Sequence, residues 1–123
     1  MKKILVVEDD QTLRKVLNDK LEHDGYEVVS AENGQVGLEK ALSDNPDCIL
    51  LDVIMPVKDG ISMLRDLRRS KSASEIPVIL LTNLDDSQTA LDALENGVTD
   101  YLVKSDWTLE DVLLKIEAVT SDK

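Results

Sequence analysis

An α/β fold with a parallel sheet is predicted, and two observations predict it. First, four short apolar runs read as strands, Ile4-Leu5-Val6-Val7, Cys48-Ile49-Leu50-Leu51, Val78-Ile79-Leu80-Leu81 and Tyr101-Leu102-Val103, and the continuous first run marks a strand covered on both faces. Stretches with helical apolar spacing lie between them. Second, each run is followed by polar residues of useful chemistry: Glu8-Asp9-Asp10, Asp52, Thr82 and Lys104. In a parallel sheet such strand ends gather at one edge, where folds of this class place their ligand site.

The elements follow in order. Residues 3–8 form the first strand. Residues 11–23 place Leu13, Val16, Leu17 and Leu21 on one helical face with charges opposite. Asp24-Gly25 breaks that helix, and Tyr26-Glu27-Val28-Val29 is a short strand. Asn33-Gly34 is a turn or cap before a second helix with Leu38, Ala41 and Leu42 inward, ended by Asp44-Asn45-Pro46. Residues 47–51 make the third strand.

A loop from Pro56 to Gly60 leads into a third helix with Ile61, Leu64 and Leu67 inward and Arg65, Arg68, Arg69 and Lys71 on the outer side. Residues 70–75 are a polar link, and Pro77 sits near the start of the fourth strand. Asp85-Asp86-Ser87 caps a fourth helix with Leu91 and Leu94 inward, closed by Asn96-Gly97. Residues 98–103 are the fifth strand. Thr108 and Asp111 form a capping box for a last helix whose apolar face is Leu109, Val112, Leu113, Ile116 and Val119.

The pattern is (βα)5. Right-handed crossovers and short loops favour a doubly wound five-stranded parallel sheet in the order 2-1-3-4-5, the flavodoxin-like arrangement, with a crevice between strands one and three.

Composition narrows the function. The formal net charge is −11. Residues 72–123 hold 11 acids against 3 bases, which disfavours direct contact with nucleic acid or anionic lipid. The single cysteine, Cys48, lies in an apolar run, which fits a buried small side chain and a reducing compartment. The first apolar run is only four residues, too short for a signal-peptide core or a membrane span. A cytoplasmic protein without membrane contact is expected. The only histidine, His23, falls on a polar helix end without a second soft ligand nearby, so no zinc site is expected. Trp107 is read as a packing residue.

Glu8 and Asp9 follow strand one and Asp52 follows strand three, so three carboxylates converge from more than 40 positions apart in sequence. Oxygen-only ligands suit Mg²⁺ or Mn²⁺. Asp9 and Asp52 are the expected direct ligands, with Glu8 acting through water and the backbone carbonyl of Ile54 as a third ligand. Taken alone, Glu8, Asp9 and Asp10 also suit the positive end of a helix, with Asp10 as a simple cap. A carboxylate can attack phosphorus to give an aspartyl phosphate. Asp52 is the candidate nucleophile, while Thr82 and Lys104 can hold the phosphoryl oxygens. Singly, Thr82 also reads as a β-branched strand residue and Lys104 as a solvated lysine.

The chain resembles the receiver domains of bacterial two-component response regulators. The matching elements are Ile4 to Asp10, Leu51-Asp52-Val53-Ile54-Met55-Pro56 with Asp59-Gly60, Pro77 to Thr82, and Tyr101 to Lys104. The resemblance implies a single receiver domain over residues 1–123. It implies that Asp52 accepts a phosphoryl group from a sensor histidine kinase or phosphotransfer protein, that Glu8 and Asp9 form the metal pocket, and that Thr82 and Lys104 bind the phosphoryl group. Tyr101 is then an aromatic switch that turns inward as Thr82 moves. A downstream protein would read the face of helix four, strand five and helix five, whose acids (Asp85, Asp86, Asp92, Glu95, Asp100 and Glu110) favour a basic or mixed surface. The expected role is signalling rather than enzymatic turnover.

Some residues depart from the family pattern. Ser105 stands where proline usually follows the lysine, and Asn83 where a small residue usually follows the threonine. Ile54 and Leu84 are apolar at positions that modulate hydrolysis in the family, which implies slow self-dephosphorylation. The alternatives are a receiver-like interaction module that takes no phosphate, and a Mg-dependent phosphohydrolase. The latter lacks a second acid two residues after Asp52. A flavin-binding protein is disfavoured because no Ser/Thr/Gly-rich loop follows strand one.

Overall fold

The computed structural model describes residues 1–53, 55–82, 87–103 and 108–120, with the side chains at 82 and 87–90 outside the description. Strands and helices alternate throughout: β1 (Lys3–Val7), α1 (Gln11–His23), β2 (Glu27–Ala31), α2 (Gly34–Asp44), β3 (Cys48–Asp52), α3 (Gly60–Arg69), β4 (Val78–Thr82), α4 (Ser87–Glu95), β5 (Asp100–Val103) and α5 (Leu109–Thr120). The sheet is parallel in the order β2-β1-β3-β4-β5, as predicted. One row of register partners crosses it: Ala31, Val7, Leu51, Leu80 and Tyr101. That row brings the C-terminal ends of β1 and β3 level with each other.

The core is aliphatic and lies on both sides of the sheet. One cluster joins Leu5, Val7, Ile49, Leu51 and Leu80 to Met63, Leu64 and Leu67 of α3. The other joins Ile4, Val6, Leu50, Ile79 and Leu81 to Leu17, Leu21, Val112 and Ile116 of α1 and α5. The runs in β1, β3 and β4 are buried on both faces, whereas Tyr101-Leu102-Val103 lies on the edge strand β5 and stays partly exposed.

Caps set the helix starts. The Asp10 side chain accepts from Thr12 N and Leu13 N, Asn33 from Val36 N, and Asp59 from Ser62 N. Thr108 and Asp111 form the expected capping box, with Thr108 N donating to Asp111 Oδ2 at 2.8 Å and Asp111 N to Thr108 Oγ1 at 3.2 Å. The Asp85-Asp86 cap lies outside the described residues. Left-handed Asn45 and Gly97 end α2 and α4, as their sequence positions suggested.

Several expectations are corrected. β2 runs on through Ser30 and Ala31, which pair with Val6 and Val7 despite lacking a strand signature. β3 includes Asp52 as its last residue, and β5 starts at Asp100 rather than 98. Val16 is exposed because α1 buries the Leu17 and Leu21 line, and a step of one residue carries Val16 onto the flank. In α2 the buried residues are Gly34, Gly37 and Ala41. A Cβ on Gly37 would lie 2.9 Å from Val7 Cγ1, so the helix backbone itself packs there and Leu42 turns out. In α4, Ala93 faces in, which leaves Leu91 and Leu94 outside. Arg68 is not on the outer side of α3. It turns inward, with Nη1 donating to Ser74 O and Ile76 O and with Nε and Nη2 donating to Gly97 O.

Candidate functional site

Glu8 follows β1, and its N–H still donates to Ala31 O at 3.0 Å, which extends the ladder by one residue. Asp52 closes β3, the neighbour of β1. Glu8, Asp9 and Asp52 each offer a carboxylate oxygen, and the three atoms lie within 4.8 Å of one another. Glu8 and Asp52 are 1% and 5% exposed, whereas Asp9 faces solvent. The site is thus a half-open acidic pocket, with two walls inside the fold and one at its mouth.

Local hydrogen bonds orient these acids. Val53 N donates to Asp52 Oδ1 at 2.8 Å. Asp10 N donates to Glu8 Oε2 at 3.1 Å. Each amide fixes one oxygen of its carboxylate and so directs the other. Beneath Asp52, Gly60 N donates to Val53 O at 2.8 Å, and a Cβ on Gly60 would overlap the Asp52 carbonyl. The Asp59-Gly60 step therefore lets α3 start directly against the end of β3.

Two cations brace the same edge, and sequence reasoning missed both. Arg14 Nη1 donates to Glu8 O at 2.7 Å and to Asp9 O at 3.5 Å. Lys40 Nζ donates to Ser30 O at 2.6 Å. Neither stands out in the sequence, because a bond to a backbone carbonyl leaves no signature there.

The other predicted residues are placed as follows. Thr82 ends β4 in register with Val103, and its side chain is outside the description. Lys104, Ile54, Asn83, Leu84, Ser105 and Trp107 lie outside the described residues. Tyr101 is half exposed on the edge strand β5. Leu91 and Leu94 of α4 and Leu114 of α5 are also exposed, so the face is more apolar than its acids suggested. Its charge is also partly neutralised: Lys115 Nζ lies 2.7 Å from Asp100 and Lys20 Nζ 3.3 Å from Glu110.

A cleft of about 510 Å³ runs between α3 and α4, floored by Val53 and Met55 and flanked by Arg65 and Asp92. A larger cleft of about 620 Å³, by Pro46, Pro77 and Thr120, lies at the opposite edge of the sheet, where no acid cluster accompanies it among the described residues. His23 is exposed at the end of α1, and Cys48 is fully buried. Burial pushes the Cys48 thiol up from 9.0 to about 12.

The acid set suits a small hard cation. Oxygens around an octahedral Mg²⁺ stand about 3 to 4 Å apart, which is compatible with the observed clustering. Among the described residues, no helix is long and apolar enough to cross a membrane.

The model of the response regulator receiver domain matches residues 4–117 of this chain. The chain belongs to the receiver domain family of response regulators. Among curated relatives, it is 38% identical over 119 residues to the response regulator ArlR of Staphylococcus saprophyticus. The match takes in 97% of this chain and 52% of that one, so the chain spans about half the length of such relatives. Among solved structures, the receiver domain of the Francisella response regulator 1452 is 30% identical with a TM-score of 0.90, over 99% of this chain and 98% of that one. The BeF3-activated receiver domain of Klebsiella pneumoniae RstA is 31% identical with a TM-score of 0.87, over 96% and 97%. The predicted family and the sheet order of this receiver domain are both borne out.

Proposed function

We propose that this receiver domain takes a phosphoryl group onto Asp52 from the phosphohistidine of a sensor histidine kinase or phosphotransfer protein. The observation that carries the reading is the convergence of Glu8, Asp9 and Asp52 at the ends of β1 and β3. A carboxylate oxygen of Asp52 attacks phosphorus. The O–P bond forms as the P–N bond breaks, and the electron pair returns to the imidazole, which takes a proton from solvent. Glu8, Asp9 and Asp52, with the Ile54 carbonyl, are the residues that would hold Mg²⁺ or Mn²⁺. When bound, the ion neutralises charge on the transferring group.

Thr82 and Lys104 bind the phosphoryl oxygens. Thr82 ends the strand beside β3, and Lys104 follows the residue paired with Thr82, which supports these roles. The signal leaves through α4, β5 and α5. A phosphoryl group brings almost two negative charges, and Thr82 moving toward it lets Tyr101 turn inward. A complete reversal of a two-state balance needs about 5.5 kcal/mol, which the Thr82 and Lys104 contacts must supply between the two states. The partner on this face combines basic and apolar surface, matching the exposed leucines beside Asp92 and Glu95. The domain acts in the cytoplasm as a signalling module that assists its own phosphorylation and dephosphorylation.

Incubation with acetyl phosphate and Mg²⁺, followed by intact mass measurement, tests the reading. One phosphoryl mass is expected on the wild type and none on Asp52→Ala or on wild type in EDTA. Labelling of Asp52→Ala at the wild-type level contradicts it. For the output face, alanine substitutions across α4 and α5 should remove the phosphorylation-dependent contact. A contact that survives all of them rules the face out.

A further inference from the structure

We propose that Arg14 is the positioning residue of the metal pocket, holding the β1–α1 turn so that the Glu8 and Asp9 carboxylates face Asp52. The inference rests on the metal-pocket reading above and extends it to a residue outside the acid cluster. The turn has a structural problem. The α1 ladder starts with Arg14 N donating to Asp10 O at 2.9 Å, so the carbonyls of Glu8 and Asp9 precede the helix and gain no bond from it. Three consecutive acids at this turn also repel one another. The guanidinium of Arg14 answers both needs from one helical turn away. It is part-buried, and its Nη1 donates to Glu8 O at 2.7 Å and Asp9 O at 3.5 Å. With the carbonyls held on the Arg14 side, the Glu8 and Asp9 side chains are committed to the side where the three carboxylate oxygens gather.

Geometry and simple charge predict opposite signs for the removal of Arg14. A cation near a Mg²⁺ site repels the ion, so loss of charge alone tightens binding. Loss of positioning weakens it, because orienting groups around ligands typically set affinity. Lys15 supplies the control: it is one residue further on, exposed, and its ammonium pairs with Asp19 at 2.9 Å on the same helix.

The experiment is calorimetric titration of Mg²⁺ into wild type, Arg14→Gln, Arg14→Lys and Lys15→Ala. The half-saturating Mg²⁺ for acetyl phosphate labelling and the thermal midpoint without metal are measured alongside. Arg14→Gln is expected to weaken Mg²⁺ roughly tenfold. Labelling by Arg14→Gln should approach the wild-type rate at saturating Mg²⁺, a split that general unfolding would not produce. Arg14→Lys keeps the charge but loses the planar fork, so it should fall between the two. Lys15→Ala should leave affinity unchanged or slightly tighter. Affinity of Arg14→Gln equal to or above wild type overturns the proposal. If Arg14→Gln does not fold, Arg14→Lys decides: wild-type affinity there overturns it. A wild type that binds Mg²⁺ yet gains no phosphoryl mass would remove the phosphoacceptor reading and leave this inference standing. A wild type with no saturable Mg²⁺ binding removes both.

Discussion

The guanidinium of Arg68 holds the carbonyl of Gly97 with two bonds, 3.1 Å from Nε and 2.8 Å from Nη2. Its remaining donor reaches Ser74 O at 3.1 Å and Ile76 O at 2.8 Å. One side chain from α3 thus ties the end of α4 to the start of β4. Partial burial of the guanidinium depresses its pKa.

Arg68→Ala should therefore lower stability by about 1–3 kcal/mol in urea unfolding, since three carbonyls lose a charged donor. Arg68→Lys should recover only part of the loss, because an ammonium cannot match the guanidinium fork. An unchanged midpoint for Arg68→Ala would show that the tie contributes nothing.

Gly60→Ala should damage stability and phosphoryl acceptance together. The added methyl would overlap the Asp52 carbonyl, so either α3 or β3 must shift. A loss of about 1–3 kcal/mol is expected, with slower labelling by acetyl phosphate. Wild-type stability and labelling would mean that the close approach is not required.

Cys48 gives a pH prediction whose sign is fixed by burial. Its thiol rises from 9.0 to about 12 in the folded chain. Above pH 9.0 the unfolded state loses the proton while the folded state keeps it until about 12. The stability linked to this group is therefore full below the lower value and falls as pH rises toward the upper one, by about 1.4 kcal/mol per pH unit. Wild type should lose stability more steeply than Cys48→Ala across that window. Parallel curves from urea melts at several pH values would contradict it.

The proposed phosphoryl group on Asp52 is expected to be long-lived, because Ile54 and Leu84 are apolar. Neither side chain can align an attacking water by hydrogen bonding. Phosphorylated wild type should decay more slowly than the Ile54→Asn, Leu84→Glu double variant when the label is chased in Mg²⁺. Equal decay rates would remove these positions from the hydrolytic step.

Much of the fold was legible because burial on both faces leaves unbroken apolar runs. The sheet order followed from those runs, and Glu8, Asp9 and Asp52 stood out because acids terminate them. The rotation of α4 was not legible. Leu91 and Leu94 satisfy a helical spacing, yet the inward residue is the smaller Ala93. The packing of α2 through Gly34 and Gly37 was hidden because a helix backbone seated against Lys58 and Val7 leaves no apolar side chain to mark that face. Arg14 was passed over and Arg68 was placed on the outer side of its helix because their partners are backbone carbonyls, which every residue carries.

The central claim is that Asp52 forms an acyl phosphate beside a divalent cation. Borohydride reduction of the acetyl phosphate-treated protein, followed by peptide sequencing in the mass spectrometer, tests it most directly. Conversion of the aspartyl side chain to homoserine at position 52 alone, dependent on Mg²⁺, is the expected result. Reduction at another acid, or none at position 52 while the intact protein gains a phosphoryl group, would contradict the account.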